Sequence, residues 1–442
     1  MDKLIVGTDR KIDPGRRVPL KPDGTPADND RIEIGPTDLA FAEWRTAGLE
    51  LPNLPALRDY RLSRLQAQIR HHDCVGLLLF DPLNIRYATD STNMQLWTAH
   101  NPARAAFVPP EGKVILWDFV GCTHLSAHLP LVGEVRHGAS FFYFETGDRT
   151  AAAATAFAQQ VFDLVRQFGG DNRRLAIDRI EHLGFSAMRD LGVEVVEGQM
   201  LTEHARAIKD DNEVRAMRCA IHTCEASMAE MRATMRPGIS ENELWSALHA
   251  GNIKRGGEWI EARLLSSGPR TNPWFQESGP RVMQAGDIMA FDTDLIGPYG
   301  YCCDISRSWI VGDAPPTAAQ RALYQIAYEH IMTNMRLIEA GMSFRQMSQM
   351  AHRLPSAYRA QRYPVLMHGV GLCDEYPAIR YAEDVEAHGY GGCFEVGMTL
   401  TVEAYVGAVG GAEGVKLEEQ VLVTESGAVP LSSYPFEADL LA

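Results

Sequence analysis

The sequence has no apolar run long enough to cross a bilayer. The longest, Val75–Phe80, is interrupted by a glycine and reads as a buried strand. Met1–Arg17 is charged and has no apolar h-region, so no secretory leader is expected. Cysteine is sparse: eight in 442 residues, two of them adjacent (Cys302 and Cys303), with no CxxC and no framework spacing. That pattern excludes a disulfide scaffold and fits reduced thiols in a cytoplasmic protein. Positive charge is in deficit, 42 Lys and Arg against 57 Asp and Glu, a net charge of -15. Such a balance argues against nucleic acid or an anionic membrane as partner. Low-complexity tracts are missing too, and at 45% hydrophobic the composition is globular.

At 442 residues the chain exceeds one ordinary core, so two domains are expected. Residues 1–50 are rich in Pro, Gly and Asp and read as an irregular arm. From Leu62 a helix-like stretch leads to the apolar runs Val75–Phe80, Asn84–Tyr87 and Ala105–Trp117, the last punctuated by Pro109-Pro110. This alternation predicts an α/β domain within 1–204. A second domain, 205–442, opens near Lys209-Asp210-Asp211. There Asp210 and Glu213 have capping-box spacing, ahead of an apolar stripe at Val214, Met217, Ile221, Cys224, Met228 and Met231.

The second half repeats itself. Pro237-Gly-Ile-Ser-Glu-Asn-Glu-Leu244 is echoed by Ala340-Gly-Met-Ser-Phe-Arg-Gln-Met347, each a glycine stop followed by a Ser N-cap. Gly286-Asp-Ile-Met-Ala-Phe-Asp292 is echoed by Gly397-Met-Thr-Leu-Thr-Val-Glu403, and Tyr301-Cys-Cys-Asp304 by Val415-Lys-Leu-Glu418. Two such halves facing each other bring Asp292, Asp304, Glu403 and Glu418 to a pseudo-twofold axis. Four carboxylates in one cleft need cations to stay ionised. His368 lies between the two pairs, flanked by glycine in His368-Gly-Val-Gly371, and Asp294 is expected on the same strand face as Asp292. Singly, each of these residues reads most simply as a cap or a structural group. Their joint placement on both copies of a repeat points to a divalent-metal site. Oxygen ligands with one imidazole suit iron or manganese better than a closed zinc site. One ion or two is left open.

These motifs resemble those of the pita-bread metallopeptidases, a family that includes methionine aminopeptidase, aminopeptidase P, prolidase and the metal-free creatinase. The resemblance rests on Gly286-Asp-Ile-x-x-x-Asp292, Asp304-Ile-Ser-Arg, His368-Gly-Val-Gly, Thr401-Val-Glu403 and Leu417-Glu418-Glu419, with Ala207–Val214 resembling the start of the catalytic domain. It implies a creatinase-like N-terminal domain, a pita-bread catalytic domain, the ligands Asp292, Asp304, His368, Glu403 and Glu418, and a homodimer. Two positions depart from the peptidase pattern. Where the peptidases carry histidines that handle the peptide, this chain has Trp274 and Glu375, and Asp294 is an added carboxylate.

With those departures, Asp81–Asp90, Ser91–Trp97, Ser267–Glu277, Phe291–Leu295 and Leu366–Glu375 resemble the bacterial dimethylsulfoniopropionate lyases built on this fold. The implied reaction is a metal-assisted β-elimination. Asp374, six residues past His368, is the expected base, with Glu375 as the alternative or as a substrate contact. Trp274, Tyr363 and Trp97 are candidates to face the sulfonium, Trp97 only across a dimer. Two other classes remain open at this point: an X-Pro metallopeptidase, and a non-catalytic binding protein on the same fold.

Overall fold

The structure, a computed structural model, describes residues 19–27, 34–126 and 128–442. Residues 1–18 and 28–33 of the expected arm lie outside the described residues. The chain divides into two compact units. One holds Asn53–Arg206 with the described N-terminal residues 19–27, the other Ile34–Pro52 with Ala207–Ala442.

The first unit is built on a six-stranded mixed sheet of β1 (Gly76–Leu79), β2 (Ala105–Val108), β3 (Val114–Trp117), β4 (Val132–Arg136), β5 (Arg174–Ile177) and β6 (Glu194–Glu197). Its order is β4-β3-β2-β1-β5-β6. β1 pairs antiparallel with β2 and parallel with β5, and all four of its residues are buried, as a near-continuous apolar run requires. The helix Thr150–Gly169 closes one face with Phe157, Ala158, Val161, Leu164 and Val165, which recur at helical spacing in a shared core with Leu78, Phe107 and Trp117. The run Asn84–Tyr87 is not a strand. It belongs to the helix Pro82–Thr89, capped by the Asp81 carboxylate, which accepts from the Leu83 N–H at 2.8 Å.

The second unit differs from the expected irregular arm at its start. Asp38–Thr46 is a helix, and Ala40, Phe41 and Trp44 form an apolar face buried with Cys219. Arg255 clamps this segment through both nitrogens on Glu43, at 2.7 and 2.9 Å. The helix Asp211–Thr234 buries Met217, Ile221, Cys224, Met228 and Met231 of the predicted stripe. Asp210 caps it, accepting from the Glu213 N–H at 2.8 Å, while the Glu213 carboxylate accepts from the Tyr301 hydroxyl.

Both copies of the internal repeat begin with the same local structure. Ser240 and Ser343 each close a full capping box, with Glu243 and with Gln346, on the helices Glu241–Lys254 and Phe344–Met350. Among the short strands of this unit, β7 (Trp259–Ile260), β10 (Leu295–Ile296) and β11 (Cys302–Cys303) form a three-stranded sheet, β11-β10-β7. A second sheet joins β8 (Leu265–Ser267), β9 (Ile288–Asp292) and β12 (Ser306–Ile310) in the order β12-β9-β8. The third contains β13 (Met367–Val370), β14 (Asp374–Ile379), β15 (Thr399–Val406), β16 (Val415–Thr424) and β17 (Gly427–Pro430) in the order β14-β13-β15-β16-β17.

The repeats meet where β12 faces β16. Ser308 Oγ donates to the Lys416 carbonyl at 3.0 Å and accepts from its N–H at 3.2 Å, and Arg307 donates to the Glu418 carbonyl at 2.7 Å. The helix Ala318–Leu337 covers the five-stranded sheet over an apolar core that includes Ile331, Leu400, Val402 and Leu417. The mixed α/β arrangement with a repeated C-terminal half therefore agrees with the sequence reading.

Candidate metal centre

Register places the acids. Asp292 ends β9 directly opposite Ser306 of β12, with Asp304 two residues before Ser306, and Glu403 of β15 pairs with Glu418 of β16. His368 of β13 pairs with Thr401 of β15, two residues from Glu403 and so on the same strand face. The His368 Nε2 atom lies 3.4 Å from Asp304 Oδ2, 3.6 Å from Glu403 Oε1 and 3.9 Å from Glu418 Oε1. Ser306 Oγ lies within 2.7 Å of Asp292 Oδ1 and 2.8 Å of Glu418 Oε2. Asp292, Asp304, Glu403 and Glu418 are all buried.

Asp294 reaches the cluster differently from the expected strand face. β9 stops at Asp292, and Asp294 takes a left-handed conformation (φ 36°) in the turn that follows. Its carboxylate nevertheless joins those of Asp304 and Asp374, with ligand atoms within 4.8 Å of one another. Asp304, His368 and Glu418 form a second such group around the shared Asp304.

The donor set fits a divalent cation. Asp304 Oδ1, Glu403 Oε1 and Glu418 Oε1 are buried and have no hydrogen-bond partner, a cost that persists unless a cation takes them. The His368 Nδ1–H donates to the Gly369 carbonyl at 2.9 Å, which leaves Nε2 as the nitrogen facing the carboxylates. Electrostatics record the crowding. Burial lifts the Asp304 carboxyl far above the usual range, and Glu418, Asp292 and Asp374 add to it. Burial likewise pushes Glu403 up to about 8, against the pull of Lys416. Asp292 goes the other way: its burial is outweighed by Lys416 and by hydrogen bonds, which hold it at about 2. Burial disfavours the charged His368 ring, but Asp374, Glu403 and Glu418 overcome this and raise it to about 9.

Lys416 was not legible as part of this site. Its Nζ lies 3.1 Å from Asp292 Oδ2, 3.0 Å from Glu403 Oε2 and 2.9 Å from Glu418 Oε2, and the side chain is fully buried. The signal was its place two residues before Glu418, which on a strand means the same face. The same ammonium sits 4.6 Å from the Tyr363 ring centre and 6.0 Å from that of Trp274. Trp274 is buried and stacks on Tyr405, while Phe275 packs on Tyr363. Two of the three predicted aromatics thus flank the carboxylates. The third, Trp97, belongs to the first unit, where it packs on Phe119 and Phe142.

Asp374 and Glu375 are adjacent but stand in different surroundings. Asp374 Oδ1 is 3.9 Å from His368 Nδ1, with 54% of its side chain exposed. Enough protein surrounds it for desolvation to lift its carboxyl above the usual range, with His368 opposing and Asp292 adding to the rise. Glu375 is buried in an ion pair with Lys209.

Residues 215–425 match the metallopeptidase family M24. A dimethylsulfoniopropionate lyase, DddP, from Roseovarius nubinhibens is 54% identical over 98% of both chains. One from Roseobacter denitrificans is 49% identical, again over 98% of both. The chain belongs to the DddP family of dimethylsulfoniopropionate lyases. Solved structures of the same fold include a prolidase from Thermococcus sibiricus (TM-score 0.71, 20% identity, covering 86% of this chain and 98% of that one). An Xaa-Pro dipeptidase from Bacillus anthracis is similar (TM-score 0.68, 22% identity, 85% and 98%). At that identity the likeness shows the fold. The match to that metallopeptidase family and the carboxylate–histidine groups together fit a divalent-metal site.

Proposed function

We propose that this protein is a metal-dependent lyase that cleaves dimethylsulfoniopropionate to dimethyl sulfide and acrylate. The observation that carries this reading is the likeness to dimethylsulfoniopropionate lyases over nearly the whole of both chains. The geometry then suggests the parts. Asp292, Asp294, Asp304, His368, Glu403 and Glu418 would hold the metal. A bound divalent cation supplies charge to the substrate carboxylate and so acidifies the neighbouring C–H. Asp374, half-exposed beside His368, takes that proton. The freed electron pair becomes the new C=C bond of acrylate as the C–S bond breaks, and sulfur leaves as the neutral sulfide. Trp274 and Tyr363 border the site and offer aromatic faces to the sulfonium.

Oxygen-dominated ligation with a single imidazole favours iron, with manganese and zinc as alternatives and one or two ions per chain. A cytoplasmic location is consistent with eight free thiols and with the lack, among the described residues, of any helix long and apolar enough to cross a membrane. A homodimer is favoured by the surface around Trp97, where Met94, Leu96, Val120, Tyr143 and Phe144 are all exposed. Covered by a second copy, that surface would bring Trp97 to the partner's site.

The competing reading is an X-Pro peptidase, which shares the fold and the metal ligands. Incubation of the metal-loaded protein with dimethylsulfoniopropionate separates the two. The expected result is dimethyl sulfide and acrylate in equal amounts, with X-Pro dipeptides left intact. Rapid X-Pro cleavage without sulfide would return the chain to the peptidases.

A further inference from the structure

The ion pair between Lys209 and Glu375 joins two places that matter to the site. Lys209 is tied by its backbone to the start of β15, its N–H donating to the Gly397 carbonyl at 2.9 Å, while Ile208 bridges Met398. β15 carries Glu403. Glu375 is the second residue of β14, immediately after Asp374. Successive strand residues point to opposite faces, so burying Glu375 turns Asp374 outward. Side-chain exposure follows that rule, 54% for Asp374 and none for Glu375.

The loop between β13 and β14 is shaped around this pair. A Cβ at Gly371 would collide with the Glu375 carboxylate, and one at Gly369 with the Tyr376 carbonyl. Both glycines of His368-Gly-Val-Gly371 therefore admit β14 close to β13. Gly371 is pinned on its other side, accepting from the Cys302 N–H at 2.8 Å. The segment from Gly371 to Asp374 is held at one end by Cys302 and at the other by the pairing of Asp374 with Val370 and by the Glu375 carboxylate on Lys209. Nothing else in that short segment is a buried charge.

We propose that the Lys209–Glu375 ion pair positions the base: Glu375 does not touch substrate, but through Lys209 it fixes the strand end that presents Asp374 beside His368. This rests on the reading of Asp374 as the base given above. A group that acts by placing another is felt in turnover rather than in substrate affinity, because a displacement of about 1 Å can cost on the order of 10²-fold in rate. The two partners also act as one unit, so removing both should cost no more than removing either.

The test compares Glu375→Gln, Lys209→Met and the double variant in metal-loaded protein, with crystal structures of each. The expected result is a fall in kcat of about 10–100-fold in each, with KM and metal content unchanged and the double variant no worse than the singles. Asp374 should be displaced from His368 in all three structures. Glu375→Asp keeps the charge but shortens its reach, and should show a smaller fall in kcat with KM unchanged even if the neutral variants do not fold. A loss in Glu375→Gln far deeper than in Lys209→Met would make Glu375 a proton carrier and overturn the proposal. Lowered melting temperatures with kcat intact would overturn it as well, as would an unmoved Asp374. A wild-type protein that releases no sulfide defeats the function reading instead, and the position of Asp374 in the variant structures still decides this one.

Discussion

Lys416 Nζ stands 3.0 Å from Glu403 Oε2, and neither side chain has any exposed surface. The same ammonium contacts Asp292 and Glu418, so one internal cation serves three of the four acids on the repeat axis. Removing one partner of a buried charge group leaves the others uncompensated, a cost of about 3–5 kcal/mol. Lys416→Met should therefore destabilise the metal-free protein. The sign with pH follows from the carboxylates, which are costly when ionised. Glu403 is already raised to about 8, so its share of the destabilisation should deepen as pH climbs through that value, while the share from Asp292, which Lys416 helps to hold at about 2, persists below it. A divalent cation that binds only the folded form should restore part of the loss. Thermal denaturation with and without metal, across pH, measures this. An unchanged melting temperature at pH 9 without metal would remove Lys416 from its assigned role.

His368→Ala and Glu403→Ala should each lose much of the bound metal together with activity. His368 Nε2 faces three carboxylates, and Glu403 Oε1 is one of the orphaned oxygens that a cation would satisfy. Elemental analysis of the purified variants checks it. Full metal with full rate in either one would make the ligand assignment wrong.

The acids of this site were legible because strand alternation and the internal repeat are both local patterns. Gly286–Asp292 and Gly397–Glu403 each announce a glycine, a strand and an acid; β9 does end on Asp292, whereas β15 runs on past Glu403 to Val406. What the sequence hid depends on register between distant segments. Lys209 meets Glu375 across 166 residues, and no periodicity reports such a pairing. Lys416 sat in plain view two residues before Glu418, but its alternative as a surface lysine is disfavoured only once β12 is seen to cover β16. The helix Asp38–Thr46 was masked by the Pro, Gly and Asp around it, because composition over fifty residues hides a nine-residue amphipathic segment.

Trp97→Ala tests the proposed assembly. If a second copy covers the exposed residues around Trp97, the wild type is a dimer by light scattering, and a charge at Leu96 (Leu96→Glu) should shift it toward monomer. Trp97→Ala should keep the dimer while raising KM for the sulfonium substrate. A monomeric wild type with full activity would dispose of both the dimer and the role of Trp97.

Asp374→Ala bears on the reaction itself. The carboxylate is near enough to His368 Nδ1, at 3.9 Å, to belong to the site, yet open enough to meet a substrate. Its raised pKa favours proton uptake, since a stronger base is a better acceptor in the transition state. Removing a general base costs typically about 10²–10⁴ in rate, so kcat should fall by that factor while fold and metal content are kept. Glu375→Ala should cost less, about the 10–100-fold expected for loss of the ion pair, because Glu375 faces Lys209 and not the substrate and acts only through the placing of Asp374. Asp374 also shares a potential ligand group with Asp294 and Asp304, which gives the experiment a second decisive reading. If Asp374→Ala loses metal in proportion to activity, Asp374 is a ligand and the proton goes elsewhere. If metal stays and turnover collapses, the base is identified. A substrate deuterated at the carbon next to its carboxylate adds an independent check. Its isotope effect on kcat should be present in the wild type wherever proton removal limits the rate, and should persist or grow in the crippled variant.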